Sequence, residues 1–229
     1  YDRFVDAAEE HGLQAFIQLF PECAPQWFIH GNRDAQLVNV NNRQEIPRPV
    51  GMAMVGGYPA LSPDVPIVRE RIAEFITRTV ERYHKRKHLI AVDVWNEMMP
   101  YYLFPTQTYH PATQEKYRRW LQERYGDINA LNDAFGGARY TSFDQLEAIP
   151  WGDYVDERHW HLFIRQWITD QLAWRVGLVK AVDPNLMTAC HTPGGLKDVT
   201  LAPFDTWALA DQIDIWGTSD YADDYYKSA

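Results

Sequence analysis

Apolar and polar positions follow two rhythms along this chain, one of period 3.6 and one of short continuous apolar runs, and the two take turns. Residues 1–11 (YDRFVDAAEEH) place Phe4, Val5 and Ala8 on one helical face, with Gly12 as the stop. Residues 13–19 (LQAFIQL) form an apolar run that suits a buried strand. A helix is predicted over 66–85, where Val68, Ile72, Phe75, Ile76, Thr79, Val80 and Tyr83 make a continuous stripe. Residues 89–95 (LIAVDVW) are the next strand. Two helices follow near 112–125 and 127–135, the second with Asp127 as N-cap. A longer helix over 154–182 stops before Pro184; 186–191 (LMTACH) is a strand, 203–211 a short helix and 213–219 a strand.

Strict alternation of helix and strand implies an α/β fold with a parallel sheet and right-handed crossovers. Alternation alone does not separate a (β/α)8 TIM barrel from a doubly wound sheet. The loops decide for the barrel. No Gly-rich phosphate turn follows any strand, whereas the long segments 20–64 and 98–111 both follow strand C-termini, where a TIM barrel builds its active site. The stretch 20–64 is rich in Pro, Gly and Asn and shows no clear periodicity. With no internal repeat and no linker, residues 1–229 read as one domain.

Composition adds exclusions. The balance of 22 Lys+Arg against 31 Asp+Glu gives a net charge of -9, which argues against nonspecific binding to nucleic acid or an anionic membrane. Cys23 and Cys190 stand far apart and fit no metal spacing, so no metal and no cofactor is expected. No signal peptide, transmembrane run or polybasic tract appears; the chain opens inside a predicted helix, so a leader is left open. Nine Trp and thirteen Tyr supply ordinary core and also the faces on which sugar rings stack.

The candidate chemistry sits at Trp95-Asn96-Glu97, ending the 89–95 strand. A carboxylate at a strand's C-terminal mouth is placed to act on a bound substrate, and the neighbouring amide to hold a hydroxyl. The alternative is a loop Glu in a surface ion pair. Asp93 reads as a buried partner for a basic group. His191 either meets substrate or simply ends its strand, Trp27 and Tyr58 either line a sugar cleft or pack, and Glu22 either holds a hydroxyl or lies on the loop surface. Arg165, Asp170 and Arg175 read as the solvated face of the long helix.

Asn-Glu at the end of a fourth barrel strand resembles the signature of the retaining glycosidase superfamily known as clan A. The segment QEKYRRWLQERYGDINALNDAFGG, with Tyr140-Thr141-Ser142-Phe143 and the stretch 146–150, resembles glycoside hydrolase family 42 β-galactosidases. So do IVRERIAEFITRTVERYHKRKHLIAVDVWNE before it and DIWGTSDYA near the end. The resemblance implies that the chain holds roughly the second helix to the sixth strand of the barrel. It further implies that Glu97 is the general acid/base, that Asn96 binds the sugar 2-hydroxyl, and that Tyr221 lies near the nucleophile. Trp95, His191, Trp27 and Tyr58 complete the expected substrate contacts. Two departures stand out: Trp95 replaces an Asp common in the family, and Tyr109-His110-Pro111-Ala112 replaces the zinc-binding cysteines of many members. In this superfamily the nucleophile is a Glu ending the seventh strand. Asp223 and Asp224 do not fit that role, so the chain is expected to be an excerpt of a longer protein.

The expected activity is hydrolysis of terminal β-galactosides with retention. Other clan A activities (glucosidase, xylanase, mannanase) and a carbohydrate-binding pseudoenzyme lacking the nucleophile stand beside it. The expected partner is a carbohydrate, with no nucleic acid and no membrane. The resemblance implies a cytoplasmic homo-oligomer, trimeric in many members.

Overall fold

The computed structural model describes residues 2–39, 41, 43–44, 61–98, 109–148, 154–192 and 204–218. Four strands, β1 (Ala15–Gln18), β2 (Leu89–Asp93), β3 (Met187–Thr192) and β4 (Ile215–Thr218), lie side by side in chain order, all parallel. Helix α1 (Asp2–Glu10) precedes β1. Helices α2 (Gln26–Gly31) and α3 (Pro66–Tyr83) connect β1 to β2, while α4 (Pro111–Tyr125), α5 (Ile128–Ala134) and α6 (Tyr154–Val182) connect β2 to β3. Helix α7 (Thr206–Ala210) leads into β4.

Local signals set the helix ends. Gly12 takes φ 66 after α1, and the Leu13 N–H reaches back to the Ala8 carbonyl at 2.8 Å, a six-to-one bond that needs the left-handed residue. Asp127 caps α5 as expected, accepting from the N–H groups of Asn129 (2.8 Å) and Ala130 (3.1 Å). His110 caps α4: its Nδ1 accepts from the Ala112 N–H at 3.1 Å, and its Nε2 lies 2.8 Å from the Asp34 carbonyl. A single imidazole thus uses both of its nitrogens at this helix start.

Three expectations are revised. The stretch expected to lack regular structure contains α2 and a 3-10 turn, Arg33–Ala35. Six residues are too few to show a helical repeat, and Pro25 at the N-cap fixes the start. Phe4 is exposed while Val5 and Ala8 are buried, so α1 touches the core along a narrower line than its apolar residues suggest. On α3 the stripe narrows to Val68, Ile72, Ile76, Val80 and Tyr83, leaving Phe75 exposed.

Parallel register gives the sheet two different faces. Phe16, Ala91 and Met187 pair across β1 to β3, and Gln18, Asp93, Ala189 and Ile215 pair across all four strands. Strand alternation puts all seven on one face, together with His191 and Gly217. On the opposite face Ile17, Val92 and Cys190 join a core shared with the helices. Its densest part lies between α4 and α6, where Tyr109, Tyr117, Trp160 and Phe163 hold ring centroids 5.1–5.4 Å apart. Among the described residues no helix is long and apolar enough to cross a membrane.

Candidate active site

Parallel strands deliver their C-terminal ends to one rim, and three polar side chains arrive there together. Gln18 ends β1 and is the register partner of Asp93, which ends β2. His191 lies near the end of β3, opposite Gly217 of β4. A Cβ at Gly217 would sit 3.4 Å from that of His191, so the two positions face each other closely across β3 and β4.

Asp93 is buried and holds the cluster together. One oxygen accepts from the Trp95 N–H at 3.0 Å; the other accepts from His191 Nδ1 at 2.8 Å and from Gln18 Nε2 at 3.3 Å. Gln18 Nε2 also donates to Asn96 Oδ1 at 2.7 Å, which fixes the orientation of the Asn96 amide. The hydrogen bond that His191 donates to Asp93 raises the His191 pKa, partial burial opposes the shift, and the charges of Asp93 and Glu97 add to it. The imidazolium therefore persists to higher pH than in a free side chain, next to Glu97.

Glu97 is half-buried in a 3-10 turn, Asn96–Met98, directly after β2. Its backbone has φ 50 and ψ 20, and Met98 also has φ 50; left-handed geometry is rare for side chains of this size. Met98 is fully buried and anchors the turn from below. Strain of this kind persists only where the surroundings over-determine it, and it clusters at functional positions.

The expected residues separate. Asn96, Glu97 and His191 meet at the rim. Trp27 is exposed on α2 and borders a groove of about 1180 Å³ along the open edge of β1, shared with Gln18, Phe28, Arg71 and Phe75. Tyr58 and Tyr221 lie outside the described residues. Trp95 is a correction: expected against substrate, it is fully buried, its ring 4.4 Å beneath the Arg175 guanidinium. Glu22 and Arg175 are corrected as well. Neither lies on a surface; they form a buried ion pair at 2.5 Å. Gln18 went unrecognised, although it occupies the same strand phase as Asp93.

Among the described residues no group of three or more His, Cys, Asp or Glu side chains is placed to share a metal ion. The sequence model of glycoside hydrolase family 42, described as β-galactosidase, matches residues 1–229. The chain belongs to that family. A β-galactosidase of Thermus thermophilus is 30% identical over 230 residues, covering 96% of this family 42 chain and 33% of the relative. β-Galactosidase Pbg of Clostridium perfringens is 30% identical over 165 residues, 68% of this chain and 23% of the relative. The solved β-galactosidase of Halorubrum lacusprofundi superposes with a TM-score of 0.79 at 20% identity, over 96% of this chain and 32% of that one. The catalytic domain of a Paenibacillus polymyxa β-amylase superposes at 0.69 with 12% identity, over 95% and 63%, a likeness of fold alone. The family 42 chain thus spans about a third of the length of its Thermus relative. Its four-stranded sheet is an arc of a (β/α)8 barrel.

Proposed function

We propose that the full-length protein hydrolyses terminal β-galactosides with net retention, and that Glu97 is its acid/base. The observation that carries this reading is Glu97 itself: a half-buried carboxylate in a strained turn at a strand's C-terminal end, beside Asn96 and the Asp93–His191 pair. Membership of family 42 supports the choice of galactoside.

In the first step the protonated Glu97 donates to the glycosidic oxygen as a second carboxylate attacks the anomeric carbon. In retaining enzymes the two carboxyls stand roughly 5–5.5 Å apart. The family resemblance implies that the second stands on the seventh barrel strand. Glu97, now ionised, then takes a proton from the water that releases the sugar. Asn96, steadied by Gln18, is oriented to bind the 2-hydroxyl, where hydrogen bonds strengthen toward the transition state. Two carboxylates and a water complete the reaction, so no cofactor is called for.

The test is Glu97→Ala in the full-length protein. Lactose should lose about 10²–10⁴-fold in kcat/KM, as expected for removing a general acid. 2,4-Dinitrophenyl β-galactoside, whose leaving group needs little protonation, should lose far less in its first step. Azide should restore turnover and yield β-galactosyl azide. Near-normal turnover of lactose would refute the assignment, and an α-azide product would make Glu97 the nucleophile.

A further inference from the structure

On the helix side of the Glu97 turn three elements meet in a buried cluster. Arg175 of α6 is fully buried. Its Nη2 donates to Glu22, in the segment after β1, at 2.5 Å, and its Nη1 donates to the Val94 carbonyl at 3.3 Å. Its guanidinium carbon lies over the Trp95 ring, 4.4 Å from the centroid. The same short stretch is held from β3 as well: the Val94 N–H donates to the Ala189 carbonyl at 3.0 Å, and the Cys190 thiol donates to the Trp95 carbonyl at 3.3 Å. Burial holds that thiol protonated, as its donor role requires.

Stability alone does not account for the pair. Taking both charges out of water costs several kcal/mol per ion, and replacing a buried pair by apolar residues of similar volume is often neutral or stabilising. Burial accordingly pushes the Glu22 carboxyl up, with the guanidinium opposing it. What an apolar pair lacks is direction. The rigid fork of an arginine bonds a carboxylate and a peptide carbonyl while its face lies on an aromatic ring.

We infer that Arg175, balanced by Glu22, is a positioning residue for the acid/base: it fixes Val94 and Trp95 and so aims the strained Glu97 turn. This rests on the reading of Glu97 above. Arg175 touches no substrate and acts through the backbone two residues before Asn96.

The test uses the full-length protein, with kcat/KM for lactose and for 2,4-dinitrophenyl β-galactoside, both of which report the first step. The double variant Glu22→Leu/Arg175→Met leaves neither charge of the pair unbalanced and should melt close to wild type. Its lactose kcat/KM should nevertheless fall roughly 10- to 100-fold, the scale of a small misplacement of a catalytic group, with only a few-fold loss on the activated substrate. Arg175→Lys, which keeps the charge but not the fork, should shift the ratio of the two substrates in the same direction. In a Glu97→Ala background the double substitution should change neither substrate further. A wild-type ratio in the double variant overturns the inference, as does a wild-type ratio in Arg175→Lys should the double variant not fold. Further loss in the Glu97→Ala background overturns it too, because Arg175 would then act by another route. If Glu97→Ala alone leaves the ratio unchanged, the acid/base reading fails first and this inference falls with it.

Discussion

The rim at the strand ends and the aromatic shelf between α4 and α6 are both packed against neighbours, but by different means. On the shelf, Trp160 touches Tyr109, Tyr117 and Phe163 through ring faces and edges, and its Nε1 has no hydrogen-bond partner among the described residues. Area holds it in place. At the rim, Asp93 is tied to Gln18, Trp95 and His191 by directional hydrogen bonds. Area tolerates small shifts of its members; directional bonds to a shared carboxylate do not. The barrel thus separates what keeps it folded from what keeps its mouth in register.

Damage to the shelf should be large and should leave chemistry alone. Trp160→Ala removes a ring that is 1% exposed, and the full-length protein should lose about 3–5 kcal/mol, measured as its urea unfolding midpoint. The material that stays folded should keep the wild-type preference between lactose and the dinitrophenyl substrate; a changed preference would break the comparison.

Damage to the rim should be smaller and should depend on pH. Asp93→Asn weakens a charge-assisted bond and should cost about 1.5–3 kcal/mol. Because Asp93 raises the His191 pKa in the folded chain, their attraction is fully present at mildly acidic pH, where the imidazole is charged both folded and unfolded. It is lost as pH rises through the raised folded value. The difference between variant and wild type, followed by unfolding across pH, should therefore be greatest in acid and shrink toward alkaline pH. A difference that grows with pH would refute the pairing.

The smallest effect sharpens the contrast at a helix end on the shelf side. Asp127→Ala removes the α5 cap and should cost about 1 kcal/mol by the same unfolding measurement, with both kcat/KM values unchanged.

The four strands and the helix caps at Gly12 and Asp127 were legible because each follows from short-range pattern, whereas the strand order rested on the long segments after strand ends and on the family resemblance. The rim was legible only in part. Glu97, Asn96 and His191 follow strands and are conspicuous by type, whereas Gln18 is an ordinary residue until the register sets it opposite Asp93. Arg175 was misread as solvated because its charge outweighed its place. It falls on the buried row Ile164, Ile168, Leu172 and Val179, a periodicity that pointed inward. Trp95 was misread because an aromatic next to a candidate acid suggests stacking. Its burial depends on Arg175 and Glu22, which are distant in sequence.

The left-handed backbone at Glu97 has an evolutionary consequence. A residue with a Cβ gives up about 1–2 kcal/mol in that conformation, whereas glycine accepts it freely. The replacement most favourable to folding at position 97 is therefore also one that removes the carboxylate. Drift toward glycine there would meet no resistance from stability. A glutamate at φ 50 holds the position against that preference.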